Sequence, residues 1–153
     1  MFFYYELRIG TNVRIYFMKG GVCTNRVIYP ELSYDIVRVL FSVNNKLGFG
    51  YKEKHYQRAL EIAFKDVGVN FISQCPYKIL FKGQIIGRYF MDFVVEGKVV
   101  LEIKVGEYFP RNNINQIFGY LKATDLKLGI LANFTRTGVK YKRIVNINKS
   151  LIR

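Results

Sequence analysis

The chain has 153 residues, enough for one domain and short for two well-packed ones. Half of them are hydrophobic, so a core can be buried, and a disordered or low-complexity chain is excluded. Lysine and arginine number 24 against 11 acidic residues, a net charge of +13 that points to an anionic partner, nucleic acid before a membrane surface.

Residues 1–29 are rich in aromatic and β-branched side chains. Phe2–Ile9 and Val13–Met18 read as two strands around a Gly10-Thr11-Asn12 turn, and Gly20-Gly21 breaks the pattern. Pro30 sits near a helix start. Residues 31–46 place Leu32, Ile36, Val39, Leu40 and Val43 at helical spacing, and Gly48-Phe49-Gly50 ends that element. Residues 51–67 form a second helical stretch with Tyr56, Leu60, Ala63, Phe64 and Val67 on one face, closed by Gly68. Three strands follow, at about 70–81, 85–95 and 98–105, with turn signals at Lys82-Gly83 and Glu96-Gly97. Residues 112–124 return to a helical period through Ile114, Ile117, Phe118 and Leu121. Residues 127–134 read as a buried strand and 139–147 as a last one. The order α-α-β-β-β-α-β-β predicts an α/β architecture, one mixed sheet flanked by helices. The expectation is a single domain over 1–153, with a core over 31–147 and an added β segment over 1–29.

No apolar run approaches the roughly 20 residues of a spanning helix. The start, Met-Phe-Phe-Tyr-Tyr-Glu, lacks the basic stretch and cleavage site of a signal peptide. Cys23 and Cys75 are too far apart for a zinc knuckle or a disulfide framework, which suits a reducing, cytoplasmic setting. The single histidine, His55, excludes multi-histidine metal sites within one chain.

Chemistry concentrates in the segment from Met91 to Lys104. Glu102 and Lys104 are two apart on a strand, so they leave by one face, while Leu101 and Ile103 leave by the other. Unpaired charges inside an apolar strand pair are costly. Asp92 joins them only if the hairpin loop has three residues, Glu96-Gly97-Lys98. That loop pairs Val95 with Val99 and sets Asp92 opposite Glu102, whereas a two-residue loop puts the carboxylates on opposite faces. Gly97 can supply the left-handed residue that three-residue loops commonly need. Two carboxylates held about 5 Å apart repel, and a hard cation such as Mg2+ resolves the conflict. Lys104 would then face the developing charge of a phosphate or orient the attacking water. The plainer alternative is a solvated strand edge with a cross-strand ion pair.

Asp92, followed ten residues later by Glu102-Ile103-Lys104, resembles the PD-(D/E)xK nuclease superfamily. Gly50-Tyr51-Lys52-Glu53-Lys54-His55-Tyr56 is similar to the pattern of the GxxExxY protein family within it. Gln116-Ile117-Phe118-Gly119-Tyr120 is similar to the Q-x-x-x-Y element of RecB-like and lambda-exonuclease-like members. The resemblance implies a restriction-endonuclease-like core, α-β-β-β-α-β. It implies Asp92 and Glu102 as metal ligands, Glu53 as a further ligand, and Lys104 as the catalytic lysine. Gln116 and Tyr120 would face the same site, and the cofactor would be Mg2+ or Mn2+. Met91 stands where the superfamily name has proline, and Asn44 and Phe49 stand where related sequences often have histidine and proline.

The expected activity is metal-dependent hydrolysis of nucleic acid, DNA before RNA. Lys52, Arg58, Arg88, Arg111, Lys122 and Arg136, together with Lys78 and Lys82, are the candidates for gripping the phosphate backbone. A catalytically silent nucleic-acid binder on the same fold is the alternative. An assembly protein, homodimeric through the strand edges of residues 1–29, is another.

Overall fold

A computed structural model describes residues 5–9, 13–18, 21–22 and 28–146. The expected Gly10-Thr11-Asn12 turn, Cys23 and residues 147–153 lie outside the described residues. Strands β1 (Tyr5–Ile9), β2 (Val13–Met18) and β3 (Gly21–Val22) form an antiparallel sheet in that order. β3 is an addition to the expected pair: Gly21 continues the ladder opposite Met18.

Helix α1 (Pro30–Leu47) opens on a proline, whose fixed φ suits the first turn, with Glu31 at its start and Lys46 at its end to suit the dipole. It buries Ile36, Val39, Leu40 and Val43, an i, i+3, i+4, i+7 stripe. Helix α2 (Glu53–Asp66) buries Tyr56, Leu60 and Phe64. It starts two residues later than the sequence suggests, after Gly50, whose φ of 116° no helix accepts. Helix α3 (Arg111–Thr124) buries Ile117, Tyr120 and Leu121.

The main sheet runs β4 (Phe71–Phe81), β5 (Gln84–Val95), β6 (Val99–Val105), β7 (Leu128–Thr135), β8 (Gly138–Val145) in spatial order. Only β6 and β7 pair in parallel, joined by α3; the other neighbours are antiparallel. α1 and α2 cover one face, packing on Phe93, Val95, Val99, Leu101 and Ile103. α3 covers the other, packing on Met91, Val94, Val100 and Leu131. The architecture is therefore the restriction-endonuclease-like α/β core expected above. β7 is buried throughout, as a strand with helices on both faces must be. Gly129 lets α3 approach it, because a Cβ there would overlap Cγ2 of Ile117.

The two-residue alternation slips once. Met91, Phe93 and Val95 should share a face, yet Met91 packs with α3 while Phe93 and Val95 pack with α1 and α2. The neighbouring strand slips at the same level: Phe71 packs with the first cluster, Cys75 and Tyr77 with the second. Gln74, between them, has φ 50°, a left-handed conformation rare in strands. Asp92 is the residue at which β5 changes face.

Candidate active site

The hairpin between β5 and β6 turns through Glu96-Gly97-Lys98, with Val95 opposite Val99. Glu96 and Gly97 are both left-handed, at φ 51° and 61°. Glycine takes that conformation freely. Glu96 is held there by Asn70: its N–H donates to the Asn70 carbonyl at 2.8 Å, and its carboxylate accepts from the Asn70 N–H at 2.7 Å.

The ladder ends at Phe93 opposite Leu101, and one step beyond it Asp92 stands opposite Glu102. Here the side chains take over from the backbone ladder. The Asp92 N–H donates to Glu102 Oε2 at 3.3 Å, and the Ile103 N–H donates to Asp92 Oδ2 at 2.9 Å. Gln74 Nε2 donates to Asp92 Oδ1 at 3.2 Å. Asp92 and Glu102 are only 7% and 4% exposed, so two carboxyl groups lie side by side out of water. Burial first, and the charge of Glu102 second, push the Asp92 carboxyl up to about 7.

Lys104 Nζ lies 2.9 Å from Glu102 Oε1 and 3.2 Å from Glu53 Oε1, at the start of α2. Burial pulls the pKa of the ammonium down, but the charge and hydrogen bond of Glu102, then Glu53 and Asp92, outweigh it, and the net shift is upward. Lys104 is thus a fixed cation. Its backbone neighbour across the β6–β7 ladder is Asn133, fully buried, whose Nδ2 donates to the carbonyls of Gly106 at 3.2 Å and Tyr108 at 2.5 Å. These bonds pin the loop that follows the lysine.

The donor set suits a hard divalent cation. Asp92, Glu102 and Glu53 against Lys104 leave two negative charges when all are ionised, and burial beside Glu102 makes Asp92 resist ionisation despite the charge of Lys104. Among the described residues no three His, Cys, Asp or Glu side chains converge to hold an ion unaided. Glu53, expected as a further ligand, forms an ion pair with Lys104. Asp92 and Glu102 could hold Mg2+ between them, with waters and substrate phosphate completing the shell.

The other expected residues are placed unevenly. Tyr120 is 5% exposed within the α3 cluster; its ring meets Tyr77 edge-on, and its hydroxyl lies 3.7 Å from Cys75 Sγ. Burial and that thiol push the phenol pKa upward. Gln116 is half-buried on α3. Lys52 and Arg58 flank and line α2, Arg88 lies on β5, Arg111 and Lys122 lie on α3, and Arg136 lies in the β7–β8 turn; all six are exposed. Two of them rest on aromatic rings: Lys122 Nζ is 5.0 Å from the Phe118 centroid, and the Arg136 guanidinium is 6.0 Å from that of Phe49. His55 is exposed, edge-on to Tyr51.

Two contributors were not singled out from sequence, and a third was read there only as a core and motif residue. Gln74 depends on the backbone slip and gives no local signal. Asn133 does: it is a polar residue within an otherwise apolar, doubly buried strand. Tyr56, four residues before Leu60 on the buried face, also carries a hydrogen bond. Its hydroxyl donates to the Gly48 carbonyl at 2.6 Å, and its ring stacks 4.0 Å from Phe134, fixing the helix turn that presents Glu53.

The family model of the PD-(D/E)XK nuclease superfamily matches residues 30–144, and the chain belongs to that superfamily. It is thus a member of a group of nucleases that generally use divalent metals and act on nucleic acid. Among solved structures, the crystal structure of SSO0001 is similar at 14% identity and a TM-score of 0.48, over 80% of this chain and 81% of that one. No curated protein matches the chain. Among the described residues no helix is long and apolar enough to cross a membrane.

Proposed function

We propose that the chain is a Mg2+- or Mn2+-dependent nuclease of the GxxExxY, RecB-like kind that hydrolyses phosphodiester bonds in DNA, in the cytoplasm. The observation that carries the reading is the buried Asp92–Glu102 pair beside the ammonium of Lys104. Asp92 and Glu102 would hold the cation, and when bound it lowers the pKa of a water and polarises the scissile phosphate. Gln74 and the Ile103 N–H orient the Asp92 carboxylate. Lys104, braced by Glu102 and Glu53, presents a permanent positive charge to the oxygens that gain charge in the transition state. Its upward-shifted pKa suits that role and not proton abstraction. The surplus of lysine and arginine supplies a sequence-independent grip on the backbone.

The test is cleavage of circular and linear DNA, with RNA alongside, under Mg2+, Mn2+ and EDTA. Cleavage that needs the metal and is abolished by Asp92→Ala supports the proposal. Salt-sensitive binding without cleavage, unaffected by Asp92→Ala, would identify a silent binder instead.

A further inference from the structure

β5 leaves β6 at the site. The two strands pair only through residues 93–95 of β5, whereas β4 and β5 stay paired out to Phe81 and Gln84. Among the described residues no strand pairs with Gln84–Met91 on the β6 side, and the hairpin runs on from Asp92 as an arm of about 26 Å at ~3.3 Å per residue.

One side of this arm is tethered at its root, where Tyr77 meets Tyr120 of α3. The other is open. Its cross-strand pairs are Pro76 with Phe90, Lys78 with Arg88 and, past a bulge, Leu80 with Ile85. Phe90 is 53% exposed and Leu80 60%; at the tip Phe81, which leaves by the face opposite Leu80, is 60% exposed with Lys82 Nζ 5.5 Å from its centroid. Residues 76–90 hold three basic side chains and no acidic one. Lys78 opposite Arg88 is a like-charge pair, unfavourable on its own. A second copy of the arm would set positive charge against positive charge, whereas a phosphate backbone neutralises it.

Exposed aromatic rings interleaved with cations are the arrangement that takes unpaired bases by stacking and their phosphates by charge. A closed duplex offers only the second. We propose that the arm 76–90 binds a single-stranded segment of nucleic acid and leads it to Asp92 and Glu102. The direction rests on the nuclease reading above; the binding does not.

The test is fluorescence anisotropy in EDTA, where nothing is cleaved, with a labelled oligothymidylate of about 20 nucleotides and a blunt duplex of the same length. Phe90→Ala is expected to weaken single-strand binding about tenfold and duplex binding less than about twofold, the difference being one stacked base. Phe90→Trp restores it, which separates stacking from a folding defect. Arg88→Gln flattens the single-strand salt dependence by about 0.7 in log–log slope. Unchanged single-strand affinity in Phe90→Ala, or equal loss on both probes, overturns the proposal. So does a dimer that Phe90→Ala dissociates and the oligonucleotide does not, or arm-dependent binding to anionic vesicles that the oligonucleotide fails to displace. A chain that binds single strands through the arm but cleaves nothing under Mg2+ or Mn2+ upholds the arm and refutes the nuclease.

Discussion

Asp92 ties stability to pH in a direction opposite to most carboxylates. Its pKa rises from an ordinary 3.8 to about 7, so the folded chain keeps a proton that the unfolded chain releases. The stability gained from that proton is complete below about pH 4, falls as pH rises, and is gone above about 7. Three pKa units at about 1.4 kcal/mol each give an upper bound on the order of 4 kcal/mol. Glu102, Lys104 and Glu53 all act on the same proton, so a loss of about 2–4 kcal/mol is expected. The comparison is Asp92→Asn, which cannot titrate. Asparagine turns an N–H group toward one of the donors that Asp92 accepts from, Gln74 or Ile103, so its absolute stability will be offset. The pH dependence of the difference is the informative quantity. Urea denaturation in EDTA from about pH 4 to 8 should show the parent losing about 2–4 kcal/mol relative to Asp92→Asn. At pH 8, Mg2+ at about 100 times its Kd should return about 2.7 kcal/mol to the parent, and far less to the variant. Parallel curves within about 0.5 kcal/mol across that range would refute the placement of Asp92 in a buried pair.

Three substitutions test the frame around the site. Tyr56→Phe removes the bond to the Gly48 carbonyl and should lower the unfolding free energy by about 1 kcal/mol in urea titrations, with the stacked ring retained. Asn133→Ala leaves the Gly106 and Tyr108 carbonyls without their donor; a loss of about 1–3 kcal/mol is expected by the same method. Gly129→Ala forces a methyl group against Cγ2 of Ile117 and should cost about 1–3 kcal/mol, as thermal unfolding would report.

The elements from residue 30 onward were legible because each carries its own period. α1, for example, repeats its buried residues at i, i+3, i+4 and i+7. The opposition of Asp92 and Glu102 was legible from a single glycine, since Gly97 permits the three-residue turn that sets the register. The left-handed Glu96 was not, because it depends on Asn70, 26 residues away in sequence. Nor was the slip at Gln74 and Asp92. A period of two predicts Met91 beneath Phe93, and only the competition between the two helical layers for β5 moves it. Glu53 illustrates the same limit. The resemblance brings it to the neighbourhood, and only packing sets its carboxylate against Lys104. The projecting arm was hidden for a related reason: β4 and β5 read as ordinary strands, and only the early end of the β5–β6 ladder frees their far half.

Single-turnover cleavage of DNA by Lys104→Ala, read beside its Mn2+ affinity, tests the account most directly. Asp92 and Glu102 remain to hold the cation, so Mn2+ affinity should stay within a few-fold of the parent while cleavage slows by about 10²–10³-fold, the usual loss of one preorganised charge. Cleavage at the parental rate, or a parent that cleaves nothing under either metal, would contradict the assignment of the chemistry to Asp92, Glu102 and Lys104.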